Sequence, residues 1–186
     1  MRVIAGSLKG RTLESPTWPG LRPTSDKLRE TLFNIVAPRI VGARVLDAYA
    51  GTGAVGIEAL SRGAAQATFV ESDRRAQALI ARNLARCAIE NSYVIIRRAV
   101  VHALDALRHE PLFDPFDIVF LDPPYDEMAI GGVAALEAAG SILAPSGVVV
   151  VEHARRQAAP GEAGRLQLGR DVISGDSALA FYSCRP

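Results

Sequence analysis

The sequence predicts an α/β protein built on a mostly parallel sheet with helices on both faces. Strand-like apolar runs alternate with helix-like stretches from Arg44 to Glu152, the order that builds βαβ units. Those runs are continuous rather than alternating, as at residues 148–151, which are all valine. Strands buried on both faces read this way. A glycine-rich turn, Gly51-Thr52-Gly53-Ala54-Val55-Gly56, separates one such run from the next helix-like stretch. Open α/β sheets place their ligands at turns of this kind.

The elements follow in order. Arg2 to Ala5 and Arg11 to Glu14 read as two short strands around the turn-like Gly6 to Gly10, a small β-hairpin carrying Arg2, Lys9 and Arg11. Ser15 to Gly20 is a loop in which Trp18 packs. Thr24 or Ser25 caps a helix whose Leu28, Leu32, Ile35 and Val36 form one apolar face, and Pro38 is expected to end it. Spacing does not decide whether Arg29 and Asn34 are ordinary surface and cap residues. Arg44 to Asp47 is a strand, and the helix from Ala54 to Arg62 stops at Gly63. Ala67 to Glu71 is the second strand of the series, and Asp73 caps a helix reaching Ile89. Tyr93 to Arg97, Phe116 to Asp122 and Gly147 to Glu152 are further strands, separated by helices over Val100 to Leu107 and Gly132 to Leu143. Ala154 to Gly164 reads as a polar loop. Leu166 to Ile173 and Ala178 to Cys184 form a hairpin across Ser174 to Ser177, so the sheet should finish antiparallel.

Bulk properties narrow the function classes. The 186 residues, 49% hydrophobic and 22% charged, fit one globular domain, read as 21–186, preceded by an extension over 1–20. There is no 18-residue apolar run and no signal-peptide core, so a cytoplasmic monomer is expected. Two distant cysteines, Cys87 and Cys184, suggest neither a disulfide framework nor a zinc motif. His102, His109 and His153 are scattered, so no metal is expected. The net charge of +1 is unevenly distributed. Residues 1–44 hold eight Lys/Arg against three acids, a net of +5, and the remainder holds 13 against 17, a net of −4. A basic front on an acidic body points to a polyanion, with Arg2, Lys9, Arg11, Arg22 and Thr24 as candidate contacts.

Two motifs carry the chemistry. The first, Gly51 to Gly56, matches G-x-G-x-x-G, and Glu71 follows Gly51 by 20 residues at a strand end. Glycines admit a ligand to the backbone and the acid binds ribose hydroxyls, a pattern that also suits a dinucleotide. Asp47 just upstream favours S-adenosylmethionine, since an acid there engages a cationic amino-acid end and opposes a pyrophosphate. The second motif is Asp122-Pro123-Pro124-Tyr125 at the end of the strand Ile118 to Leu121. One reading is a strand followed by a rigid turn, with Asp122 as a cap. The other is a corner for a planar base, in which Asp122 and the Pro123 carbonyl accept an exocyclic amine's hydrogens and Tyr125 stacks on the ring. The stretch resembles the D/N-P-P-Y/F motif of enzymes that methylate amino groups of nucleobases or glutamine.

The chain as a whole resembles the RsmD-type family of small-subunit ribosomal RNA guanine N2-methyltransferases, almost end to end. The carriers are Arg2-Val3-Ile4-Ala5-Gly6, Gly10-Arg11, Leu21-Arg22-Pro23-Thr24 and Arg29 to Asn34, then Leu46 to Ala64, Glu71-Ser72-Asp73 and Asp122 to Tyr125. The amino-terminal block is the specific part. The resemblance implies a Rossmann-like class I methyltransferase fold with a seven-stranded, mostly parallel sheet, an antiparallel C-terminal hairpin and a small N-terminal hairpin. It implies methyl transfer to the 2-amino group of one guanine in 16S ribosomal RNA, with the small ribosomal subunit as partner. Asp47, Gly51, Gly53 and Glu71 would then carry the cofactor, and Asp122, Pro123 and Tyr125 the base. One departure is Arg97-Arg98-Ala99-Val100-Val101, which lacks the polar side chain that often meets adenine after the third strand. Three alternatives stand beside this reading: a DNA adenine-N6 methyltransferase, a dinucleotide-dependent oxidoreductase, and a non-catalytic RNA-binding assembly protein.

Overall fold

The computed structural model describes residues 1–20, 24–123 and 131–185. Within them, five helices and eight strands run in the order α1 (Asp26–Ile40), β1 (Arg44–Ala48), α2 (Ala54–Ser61), β2 (Gln66–Val70), α3 (Arg74–Arg86), β3 (Tyr93–Ile96), α4 (Val100–Arg108), β4 (Phe116–Leu121), α5 (Gly131–Ser141), β5 (Leu143–Ala154), β6 (Glu162–Ala163), β7 (Leu166–Ser174) and β8 (Ser177–Cys184). One sheet holds all the strands in the order β3-β2-β1-β4-β5-β8-β7-β6. The first five in that row are parallel, and β8 joins β5 antiparallel. The chain therefore reverses direction across the sheet between β1 and β4, the place where such sheets open a crevice.

Side-chain alternation along each strand sends neighbours to opposite faces. Val119 and Leu121 pack with α4 and α5 on one face. Ile118 and Phe120 pack with α1 and α2 on the other, where Phe69 of β2 meets Ile80 and Leu84 of α3. The core is thus two apolar layers, one on each side of the sheet, as the continuous apolar runs require.

Two local expectations differ from the fold. The seven expected strands are joined by an eighth, because Glu162 and Ala163 inside the anticipated polar loop pair with Gln167 and Leu166. Pro38 lies inside α1 rather than ending it. A proline removes one backbone donor, but burial of Ile40 beside Val36 holds the last turn in place. The amino-terminal hairpin is short: Arg2 bridges Thr12, and the Val3, Gly10 and Leu13 amides donate across it to the Arg11, Val3 and Met1 carbonyls at 2.9, 2.9 and 3.0 Å. Other donors of the segment go to α2: the Ile4 and Ala5 amides donate to the Glu58 carboxylate at 2.7 and 3.0 Å, and the Ser7 amide to the Ser61 carbonyl at 2.8 Å. The segment is docked on α2 instead of forming a free ribbon.

Arg29, whose place spacing leaves open, is fully buried. Its Nη2 donates to Asp26 Oδ1 at 2.6 Å and to the Arg2 carbonyl at 2.8 Å, and its Nη1 faces Glu58 Oε2 at 3.5 Å. It therefore belongs to the scaffold and not to the basic front. Asn34 is exposed, as expected of a surface residue. Trp18 packs under the Arg75 guanidinium at 5.2 Å. Cys87 is buried, and both cysteines are free thiols. Among the described residues, no helix is long and apolar enough to cross a membrane, and no group of three or more His, Cys, Asp or Glu could hold a metal.

Candidate active site

The turn after β1 is shaped by backbone geometry. Tyr49, Gly51 and Gly53 take φ of 64°, 54° and 75°, the left-handed region that costs a side chain about 1–2 kcal/mol. Gly53 is also the N-cap of α2. Gly56 answers a different need: a Cβ there would lie 2.3 Å from Phe69 Cε1. Its absence lets the first turn of α2 sit against β2.

Two carboxylates hold this turn from either side. Asp47 is 2% exposed, and its Oδ2 accepts the Gly56 amide at 2.9 Å. Glu71 accepts the Gly51 amide at 2.9 Å through one oxygen and the Asp73 amide at 2.8 Å through the other. The loop and its candidate ligand acids are thus one hydrogen-bonded unit. Burial pushes the Asp47 carboxyl up to about 7; the Gly56 amide opposes the shift, the nearby Glu71 charge adds to it, and Arg29 opposes it. A carboxyl held at that value ionises readily beside a bound cation.

A cavity of about 610 Å³ opens over the turn. Asp47, Gly51 and Glu71 line it together with Asp122 and Pro123, so the structure brings the two motifs into one space. Ala99 to His102 line it as well, at the start of α4. No Lys or Arg is among its described lining residues, whereas four carboxylates are: Asp47, Glu71, Asp122 and Glu152. That donor set fits a ligand carrying positive charge and ribose hydroxyls. It opposes a pyrophosphate, which brings two negative charges of its own.

The acids also share an order. The last paired row across the parallel strands is Val70, Ala48, Leu121 and Val151. One residue further on lie Glu71, Tyr49, Asp122 and Glu152. By alternation, Glu71, Asp122 and Glu152 face the α1–α3 side, as Phe69, Phe120 and Val150 do, whereas Tyr49, with its left-handed backbone, packs against the α4–α5 layer.

Comparison with known proteins follows from this geometry. Residues 1–183 match the family model described as Conserved hypothetical protein 95. The chain belongs to that family, the RsmD-type family. Over 182 residues it is 38% identical to the Ribosomal RNA small subunit methyltransferase D of Escherichia coli K12, covering 98% of this chain and 89% of the relative. The Haemophilus influenzae protein of the same name is 38% identical over 154 residues, 82% of this chain and 78% of that one. Among solved structures, a hypothetical protein of Thermus thermophilus superposes with a TM-score of 0.83 at 27% identity, covering 98% and 99% of the two chains. The rRNA methyltransferase aviRa of Streptomyces viridochromogenes shares the fold, with a TM-score of 0.68 at 17% identity over 92% and 89%. The fold is therefore the Rossmann-like one of S-adenosylmethionine-dependent methyltransferases, with a parallel core and antiparallel C-terminal strands.

The candidate substrate contacts are distributed differently. Thr24 is half-buried and lines the cavity. Arg2, Lys9 and Arg11 are exposed on the docked amino-terminal segment and do not line it. Arg22 and Tyr125 lie outside the described residues. Sequence reasoning missed Glu152, although a signal was present: an apolar strand ending in an acid, as at Asp122.

Proposed function

We propose that this chain transfers a methyl group from S-adenosylmethionine to the exocyclic N2 amine of a guanine in small-subunit ribosomal RNA. Membership of the RsmD-type family supports ribosomal RNA methylation. The observation that carries the reading is one cavity shared by the Gly51 turn and the Asp122-Pro123 corner. Asp47, Gly51, Gly53 and Glu71 would hold the cofactor. Its sulfonium supplies an electrophilic methyl group. Ala99 to Val101 would offer apolar packing and backbone amides to adenine, in place of a polar side chain.

The protein's own residues then have a positioning task. The guanine amine is a weak nucleophile because its lone pair is delocalised into the ring. Hydrogen bonds from its two hydrogens to Asp122 and the Pro123 carbonyl turn that lone pair towards the methyl carbon. The amine so held would take the methyl group that a bound cofactor supplies, leaving a neutral thioether, and its surplus proton would pass to Asp122 or solvent. Orientation of this kind supplies ~7–11 kcal/mol in the best cases. The base must leave its stack to reach the corner, and stacking on Tyr125 would return about 1–3 kcal/mol of that cost. The exposed Arg2, Lys9 and Arg11, with Arg22, would hold the RNA backbone. The partner in this reading is a partly or fully assembled subunit, because a chain this small offers little surface to read a site alone.

The test is methyl transfer from labelled S-adenosylmethionine to undermethylated small subunits, the same RNA stripped of protein, and duplex DNA. Label recovered as N2-methylguanine from the subunit is the expected result. Label in DNA adenine would refute the reading. Asp122→Ala should abolish transfer while binding the cofactor nearly as well as the wild type; wild-type rates from that variant would refute the mechanism.

A further inference from the structure

We propose that Glu152 determines base specificity: its carboxylate accepts the ring N1–H of the guanine whose 2-amino group Asp122 holds. This inference rests on the guanine reading above.

Glu152 is placed for the role by the sheet. Leu121 pairs with Val151 in the parallel β4–β5 ladder, so Asp122 and Glu152 stand side by side on neighbouring strands. Such strands are about 4.8 Å apart. Both residues line the cavity. Unlike Asp122, Glu152 lies within a strand, held by pairing with Leu179 of β8. The strand order puts Glu71 on β2, Asp47 on β1, Asp122 on β4 and Glu152 on β5. Glu152 is therefore on the side of Asp122 away from the glycine turn. A base whose amine points from Asp122 towards the turn presents its next ring atom on the Glu152 side.

The side chain is prepared as an acceptor. Glu152 is 7% exposed, and Oε1 accepts the Ser177 hydroxyl at 2.9 Å. Ionised, a carboxylate has about four acceptor sites, and the bond from Ser177 fixes the orientation of this one. His153, the next residue, points to the opposite face and meets Asp171 through Nε2 at 3.1 Å. That contact secures the end of β5 on both sides of Glu152.

The chemistry explains why an acid belongs there. Guanine carries N1–H directly beside its 2-amino group, two donors on one edge. Adenine carries an amine beside an N1 lone pair, and cytosine an amine beside an N3 lone pair. The Asp122-Pro123 corner accepts an amine from any of the three. A second carboxylate one strand away attracts the guanine ring nitrogen and repels the other two. Nothing else in the row supplies that distinction, since Asp122 is committed to the amine.

The test compares two small-subunit RNAs. One has guanine at the position that the wild type methylates, and the other has 2-aminopurine there, which keeps the 2-amine but has a lone pair at N1. The wild type should lose at least roughly 100-fold in kcat/KM on 2-aminopurine, as sites built around one polar partner do. Glu152→Gln offers an amide N–H to that lone pair and should narrow the gap to about tenfold or less. The ratio between RNAs cancels any general loss in the variant, and comparing that ratio between the two enzymes cancels any difference in amine reactivity. Equal ratios in both enzymes, or a wild type indifferent to the replacement, would overturn the proposal while leaving the guanine reading intact. Wild-type product other than N2-methylguanine would overturn that reading, and this proposal with it.

Discussion

Replacing Glu58 with alanine should cost more than any exposed charge in this chain. The Glu58 side chain is fully buried and accepts four groups: the Ile4 amide at 2.7 Å, the Ala5 amide at 3.0 Å, Arg62 Nε at 2.7 Å and the ion pair with Arg29 Nη1 at 3.5 Å. Breaking a buried pair from one side leaves an uncompensated charge and costs about 3–5 kcal/mol. The Ile4 and Ala5 amides belong to half-buried residues, so water takes over much of their bonding and they add little to that figure. Arg29 keeps Asp26, whose side chain is half exposed, so part of the loss is screened. The expected cost is therefore about 3–5 kcal/mol in total. Glu58→Gln keeps an acceptor oxygen and removes the charge, and should cost less, about 1.5–3 kcal/mol. Urea unfolding followed by far-ultraviolet circular dichroism measures both. Trp18 is the chain's one tryptophan and lies just after the docked segment, so its fluorescence reports undocking separately. A loss below about 1 kcal/mol for Glu58→Ala would refute the staple, as would fluorescence and circular dichroism midpoints unchanged from wild type.

Two further predictions concern pH and the amino-terminal segment. Asp47 has its carboxyl raised from 3.8 to about 7 by burial, so the folded state holds a proton there that the unfolded state has released. Its contribution to stability should fall as pH rises from about 4 to about 7, and Asp47→Asn should flatten that part of the stability profile. A cationic cofactor end favours ionised Asp47, so cofactor affinity should rise on the order of tenfold between pH 5.5 and 7, below the α-amino pKa of about 7.7–8.0. Calorimetric titration measures this, and an affinity equal at both values would refute the pairing. Gly6 and Gly10 have φ of 83° and 85°, but a Cβ on Gly6 would lie 1.8 Å from the Ser61 carbonyl oxygen while one on Gly10 meets nothing within 4 Å. Gly10→Ala should cost only the left-handed penalty of about 1–2 kcal/mol, whereas Gly6→Ala should undock the segment and expose residues 1–14 to limited proteolysis. Similar protease sensitivity in the two variants would refute the contact.

What the sequence determined by itself is local. Alternating strand-like and helix-like stretches specify parallel strands with crossover helices, because apolar runs buried on both faces need cover on both. The Gly51 to Gly56 turn is legible because left-handed backbone and close helix packing restrict residue choice. Asp122 is legible because a proline ends its strand. The tertiary structure decided whatever depends on which distant segments meet. Helical spacing does not place Arg29, and it is buried because Glu58, Asp26 and the Arg2 carbonyl converge on it. The amino-terminal hairpin is held on α2 because Glu58, far along the chain, accepts its Ile4 and Ala5 amides. Asp47 and Glu71 read as ligand acids, and the fold also makes them the struts of the loop they serve. Glu152 is 30 residues from Asp122 in the chain. Only the β4–β5 register makes them neighbours, because strand order and register are set by pairing across the sheet and not by any local pattern.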